Sequence, residues 1–160
     1  MDLGLNGKNA IITGGSDGIG LSAAISLSRE GANVAILART QEKLDNAVKE
    51  IEKDAKGKVM AISTDVREEA SVINSINQVR DEFGNIDILV NNAGTSSASP
   101  LEEMTNEQLT EDLNLKVYGA IYCARAVIED MKSSGSGSIV NITTPGGKAT
   151  AGDSQPTSLS

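Results

Sequence analysis

"KNAIITGGSDGIG", Lys8 to Gly20, decides the fold. An apolar run from Lys8 stops at Gly14, as a short buried strand does. The next segment, "IGLSAAISLSREG", sets Ile19, Ala23 and Leu27 at helical spacing and closes at Gly31, a good helix terminator. Strand, glycine turn and helix in that order open a βαβ unit.

The same alternation continues outward. "ANVAILA" (Ala32–Ala38) predicts a second strand. "TQEKLDNAVKEIEKDAKG" predicts a helix from Thr40 to Gly57, with Leu44, Val48 and Ile51 on one face. "KVMAIST" is strand three. "REEASVINSINQVRDEFG" is a third helix with a Val72, Ile76, Val79 and Phe83 stripe. "IDILVNNAG" holds strand four. A long helix from about Thr105 to Met131 follows, its apolar set being Leu109, Leu113, Val117, Ile121, Ala124 and Ile128. "GSIVNIT" is strand five. Continuous apolar strands separated by helices predict a doubly wound, three-layer α/β domain with a parallel sheet of order 3-2-1-4-5. Residues 1–160 contain no internal linker or repeat and read as one domain.

Composition narrows the function. Net charge is -8 with a pI near 4.5, which argues against a nucleic-acid partner. One anionic ligand remains compatible, because a local site can be positive on an acidic protein. The chain has no His, so His-based triads, bases and zinc ligands are excluded. Its single Cys, Cys123, forms no internal disulfide or Cys-cluster metal site and suits a reducing compartment. No apolar run reaches the roughly 18–20 residues of a membrane span and no signal peptide is visible. The expectation is a cytoplasmic protein with no membrane or metal partner.

"TGGSDGIG", Thr13 to Gly20, stands where a dinucleotide site requires it. Gly14 permits the turn, while Gly18 and Gly20 allow close approach of ligand and sheet. Phosphate would meet the free N–H groups at the helix start. NAD sites usually carry a carboxylate at the end of strand two. Here Ala38 and Arg39 stand there. Arg39 suits a 2′-phosphate, or is a solvated strand-end arginine. Asp17 pulls against a phosphate, or serves as a helix N-cap.

Thr13-Gly14-x-x-x-Gly18-x-Gly20, "TDV" at Thr64–Val66, "NNAG" at Asn91–Gly94, "NLK" at Asn114–Lys116 and "GSIVNIT" resemble the short-chain dehydrogenase/reductase family over nearly the whole chain. "ARTQEKL" is similar to carbonyl-reducing members, including 3-oxoacyl-carrier-protein reductase-like ones. The resemblance implies an oxidoreductase moving hydride between a nicotinamide cofactor, NADP(H) rather than NAD, and a small carbonyl or alcohol substrate. It implies a homo-oligomer, dimer or tetramer. It also implies cofactor contacts from Gly14, Ser16, Asp17, Gly18, Ile19, Gly20 and Arg39. Asp65 would meet the adenine amino group, Val66 its ring, and Asn92, Ala93 and Gly94 the ribose.

The family's catalytic set maps unevenly. Asn114 matches the helix Asn that supports a water, and Thr144 matches the Ser that holds the substrate oxygen. Family spacing sets the general-acid Tyr at Thr157, whose hydroxyl titrates far above a phenol's value of about 10. The companion Lys would fall past Ser160, and a full member continues further, with additional strands. The expectations are therefore a short-chain oxidoreductase shown in part, a relative that binds NADP without turnover, or an inactive fragment. Strand five would then be an edge with exposed apolar faces.

Overall fold

A computed structural model describes residues 2–95, 98–100, 102–143 and 155–156. β1 (Asn9–Thr13), α1 (Gly18–Arg29), β2 (Asn33–Ala38), α2 (Gln41–Ile51), β3 (Val59–Ser63), α3 (Glu69–Phe83) and β4 (Ile88–Asn91) alternate along the first half. β5 (Ala98–Ser99) is a two-residue strand. α4 (Asn106–Leu113), a π-helical turn (Asn114–Tyr118) and α5 (Gly119–Ser134) then form one helical rod leading to β6 (Ser138–Asn141). β7 (Gln155–Pro156) pairs antiparallel with β5. The main sheet is parallel with order β3-β2-β1-β4-β6, which is 3-2-1-4-5 counted along its own strands.

The apolar strands sort their side chains by the two-residue period of the pleat. Ala10, Ile12, Val34, Ile36 and Val90 pack under α1 and α2, whose Ala24, Leu44, Ala47 and Ile51 complete that core. Ile11, Ala35, Leu37, Ile62 and Leu89 face the other way, onto α3 and α5. Two buried layers back to back are what an uninterrupted apolar strand demands. Arg80 clasps the second layer: it donates to the Asp130 carboxylate at 3.1–3.2 Å and to the Ala126 carbonyl at 2.9 Å. Asp130 also accepts from the Ile86 N–H at 3.3 Å.

Three expected faces or ends are corrected. α1 buries Gly20, Ala24 and Ser28, while Ile19 is 64% exposed. Beside the glycine turn small residues carry the contact, because the helix starts too close for large ones; further along, Leu27 of the expected face packs against the core with Leu21 and Ile25. In the long rod, Gly119, Cys123, Val127 and Met131 are buried, while Ile121 and Ile128 of the expected stripe are exposed. The π turn adds a residue to the helical cycle and rotates the inward face. α2 ends at Ile51, not Gly57. The Lys56 N–H donates to the Ser28 carbonyl at 3.0 Å, drawing this segment onto α1. Gly57 serves close approach, since a Cβ there would lie 2.2 Å from the Ala32 carbonyl oxygen.

Among the described residues β6 pairs only with β4, and its four residues are exposed, as expected of an apolar edge. Asn91 ties that edge inward through Nδ2, which donates to Asn141 Oδ1 at 2.9 Å and to the Ala120 carbonyl at 3.4 Å.

Arg80→Met leaves the mostly buried Asp130 with little beyond one N–H donor. It should lower unfolding free energy by about 1–2 kcal/mol, read from urea midpoints at unchanged m-value.

Candidate functional site

The carboxyl ends of β1 to β4 open onto one cleft of about 560 Å³. Such a crevice is where open α/β sheets bind ligands. Gly14, Ser16, Asp17, Gly18 and Ile19 form one wall. Arg39 comes from the end of β2, Asp65 and Val66 from the end of β3, and Asn92, Ala93 and Gly94 from the end of β4. These residues, scattered over the chain, are brought together in one place. Gly20 does not line the cleft but stands behind it: a Cβ there would fall 2.4 Å from the Gly14 carbonyl oxygen and 2.5 Å from Asn92 Nδ2. Only a bare backbone lets α1 begin this close to the turn.

The glycine turn is bound directly to β4. Asn92 Nδ2 donates to the carbonyls of Thr13 and Gly14, both at 3.1 Å. Thr13 Oγ1 accepts from the Asn92 and Ala93 N–H groups, both at 3.0 Å, and donates to the Val90 carbonyl at 3.4 Å. Thr13 is 2% exposed, so these bonds are sheltered from water. Asn92 thus spends its amide on shaping the turn.

Asp17 caps α1: its Oδ1 accepts from the Gly18 N–H at 2.7 Å. A Cβ at Gly18 would meet no atom within 4 Å, so open space stands over the start of the helix. There the N–H groups of the first turn have no carbonyl partner within the helix. Backbone donors, open space and the positive end of a helix fit a phosphate. The residues present therefore fit a dinucleotide.

On the far side, Ser63 Oγ donates to the Arg39 carbonyl at 3.1 Å and fixes the backbone of that exposed residue. Asp65 is held by the arginine two residues further on. Arg67 donates to it from its backbone N–H, Nε and Nη2, at 2.6–3.2 Å. The Arg67 guanidinium holds the Asp65 carboxyl below its ordinary 3.8, against the opposing effect of burial. Asp65 in turn raises Arg67. The spacing of Asp and Arg two residues apart was the only signal for this fork.

Lys43 and Thr95 also line the cleft, with Thr64 and Leu115 from the "TDV" and "NLK" segments. Lys43 follows Arg39 by four residues, which was its only sequence clue. Asn114 begins the π turn, where its carbonyl accepts from the Gly119 N–H, and Leu115 represents that turn among the lining residues. Next to it Lys116 Nζ donates to Asp112 Oδ2 at 2.9 Å, with the Asp112 side chain 1% exposed. The stem of Lys116 runs 3.8 Å from where a Cβ on Gly94 would stand. Tyr122 packs against the core, while Tyr118 is 48% exposed. Thr144 and Thr157 lie outside the described residues.

A family model described as short chain dehydrogenase matches residues 8–154. The chain therefore belongs to the short-chain dehydrogenase family. It is 37% identical over 150 residues to 3-dehydrosphinganine reductase of Danio rerio, covering 91% of this chain and 45% of that protein. L-sorbose reductase from Gluconobacter frateurii, solved with NADPH and L-sorbose, superposes with a TM-score of 0.95 at 32% identity, over 99% of this chain and 60% of that one. An NAD+-bound xylitol dehydrogenase superposes with a TM-score of 0.92 at 29% identity, over 97% and 60%. The chain spans about half the length of the curated relatives it matches.

Because its folded value is depressed, Asp65 contributes stability above pH 3.8, and this is lost as pH falls through that depressed value. Arg67→Met should return the Asp65 carboxyl toward 3.8 in a carbon-13 NMR titration. The variant should be less stable than the parent at neutral pH, and the two should converge in acid.

Proposed function

We propose that this chain is the dinucleotide-binding part of an NADP(H)-dependent oxidoreductase acting on a small carbonyl or alcohol. The observation that carries the cofactor choice is the end of β2. Ala38 and Arg39 line the cleft there, and no carboxylate stands at that strand end. A carboxylate would accept from ribose hydroxyls and repel a 2′-phosphate, whereas a guanidinium can bind the phosphate with two parallel N–H donors. Structural neighbours are solved with NADPH and with NAD+, so the preference rests on this chain's own residues.

In this reading the turn at Gly14 to Gly20 and the start of α1 hold the pyrophosphate. Asp65, aimed by Arg67, accepts from the adenine amino group while Val66 packs on the ring. Asn92, Ala93 and Gly94 bear on the ribose. The nicotinamide supplies or accepts the hydride when bound. Asn114 and Thr144 take the water-holding and substrate-oxygen roles that family resemblance implies. Thr157 has no phenol to move a proton near neutral pH, so a proton donor from elsewhere, or a hydride acceptor needing little acid assistance, completes the chemistry.

The exposed Tyr118, Ile121 and Ile128 on the outer face of the rod support pairing with a second copy. A cytoplasmic location belongs to the same reading. Its supports are the single buried thiol of Cys123 and the lack of any described helix long and apolar enough to cross a membrane.

Calorimetry should give NADPH an affinity at least about tenfold above NADH, a difference a charge-assisted phosphate contact readily supplies. Arg39→Asp should reverse the order. Equal affinities in the parent chain would overturn the NADP assignment. Loss of NADPH absorbance across a panel of ketones and aldehydes should report turnover. Tight binding with no consumption would favour a dinucleotide-binding relative without turnover.

A further inference from the structure

Asp17 looks misplaced in a site that binds a 2′-phosphate, and its geometry gives it a purpose. Lys43 Nζ lies 3.8 Å from Asp17 Oδ2, and the two side chains are 61% and 79% exposed. Both line the cleft together with Arg39 and Thr40. The two Asp17 oxygens have separate tasks. Oδ1 accepts from the Gly18 N–H and caps α1, while Oδ2 faces the lysine. Lys43 stands in the first turn of α2, where the positive end of the helix disfavours a cation. A cation in that position is best answered by a nearby anion.

We propose that Lys43 is a second cation for the adenosine 2′-phosphate, and that Asp17 holds it at the rim of the cleft until the phosphate takes it over. The inference rests on the NADP(H) reading above. An exposed pair of this length contributes little, so the exchange costs little. A phosphate monoester offers about two negative charges and three acceptor oxygens against one carboxylate. It also neutralises a cation that the helix end otherwise opposes. Asp17 then acts as a competitor within the chain: NADPH must displace it from Lys43, while a dinucleotide without the 2′-phosphate leaves the pair intact. The acid in the glycine turn tunes affinity and does not exclude the phosphate.

A calorimetric cycle on the full 160-residue chain tests this, with NADPH and NADH as probes. Asp17→Asn keeps Oδ1 as a cap, since Asn is an equally good N-cap, and removes the charge that holds Lys43. It should raise the ratio of NADPH to NADH affinity about fivefold. Lys43→Met should weaken NADPH about tenfold with NADH nearly unchanged, and Lys43→Arg should restore the preference. In the double variant the gain from Asp17→Asn should vanish. Urea midpoints of each variant serve as the control for correct folding.

Equal loss of both dinucleotides in Lys43→Met would overturn the proposal by making Lys43 merely structural. A full Asp17→Asn gain in the Lys43→Met background would overturn it too, because the acid would then act on the phosphate directly. A parent chain without NADPH preference would remove the cofactor reading and this inference with it. An NADPH preference undiminished in Lys43→Met would sink the inference alone.

Discussion

The clasp between Thr13 and Asn92 is the constraint on which the site depends. A parallel sheet leaves its strand ends to diverge with the twist. Here a hydroxyl and a carboxamide lock two of those ends together with five hydrogen bonds in a sheltered position. The lock sets where the chain turns after β1, and that turn sets how closely α1 can start. Gly20 follows as a requirement, because its Cβ would collide with the clasped carbonyl of Gly14 and with the Asn92 amide itself. The cleft is the space left over this assembly. Its shape is thus a consequence of two short polar side chains, the Thr13 hydroxyl and the Asn92 amide nitrogen each bonded within the protein.

Electrostatics completes what packing begins. The chain as a whole carries -8, yet the rim of the cleft gathers Arg39 and Lys43, with Arg67 just behind it. Two of these three cations already face a carboxylate, Lys43 that of Asp17 and Arg67 that of Asp65. The pairs differ in kind. Arg67 grips Asp65 through a bidentate fork, which fixes an acceptor in place. The Lys43 contact is long and exposed, which makes it exchangeable. Adjacent pairs of the same charge types can therefore play opposite parts, one as a fixture and one as a reserve.

Much of this was legible in the sequence. Apolar runs such as Asn33–Ala38, buried on both faces, specify a covered parallel strand, and the order 3-2-1-4-5 follows from their alternation with helices. The glycine turn, Asp65 and Asn92–Gly94 could be assigned to one cleft because their positions after strands bring them to the same sheet edge. What was not legible depends on side chains meeting across elements. At its first turn α1 was not legible, because Gly20 and Ala24 make the contact there while apolarity pointed to Ile19; Leu27 packs inward as its spacing implies. The face of the long rod shifted because no residue type announces a π turn. Arg67 and Lys43 have their partners named only by geometry. Thr144 and Thr157, on which the chemistry turns, lie beyond what the structure describes.

A titration of the nitrogen-15 labelled chain with NADPH, followed through backbone amide shifts, tests whether the clasped turn forms the dinucleotide site. Saturable shifts should concentrate at residues 14–20, 39–43, 64–66 and 92–95, around the clasped turn and the open ends of β2 to β4. Shifts centred on the opposite edge of the sheet, or no shifts at millimolar NADPH with the chain folded, would contradict that role for the turn.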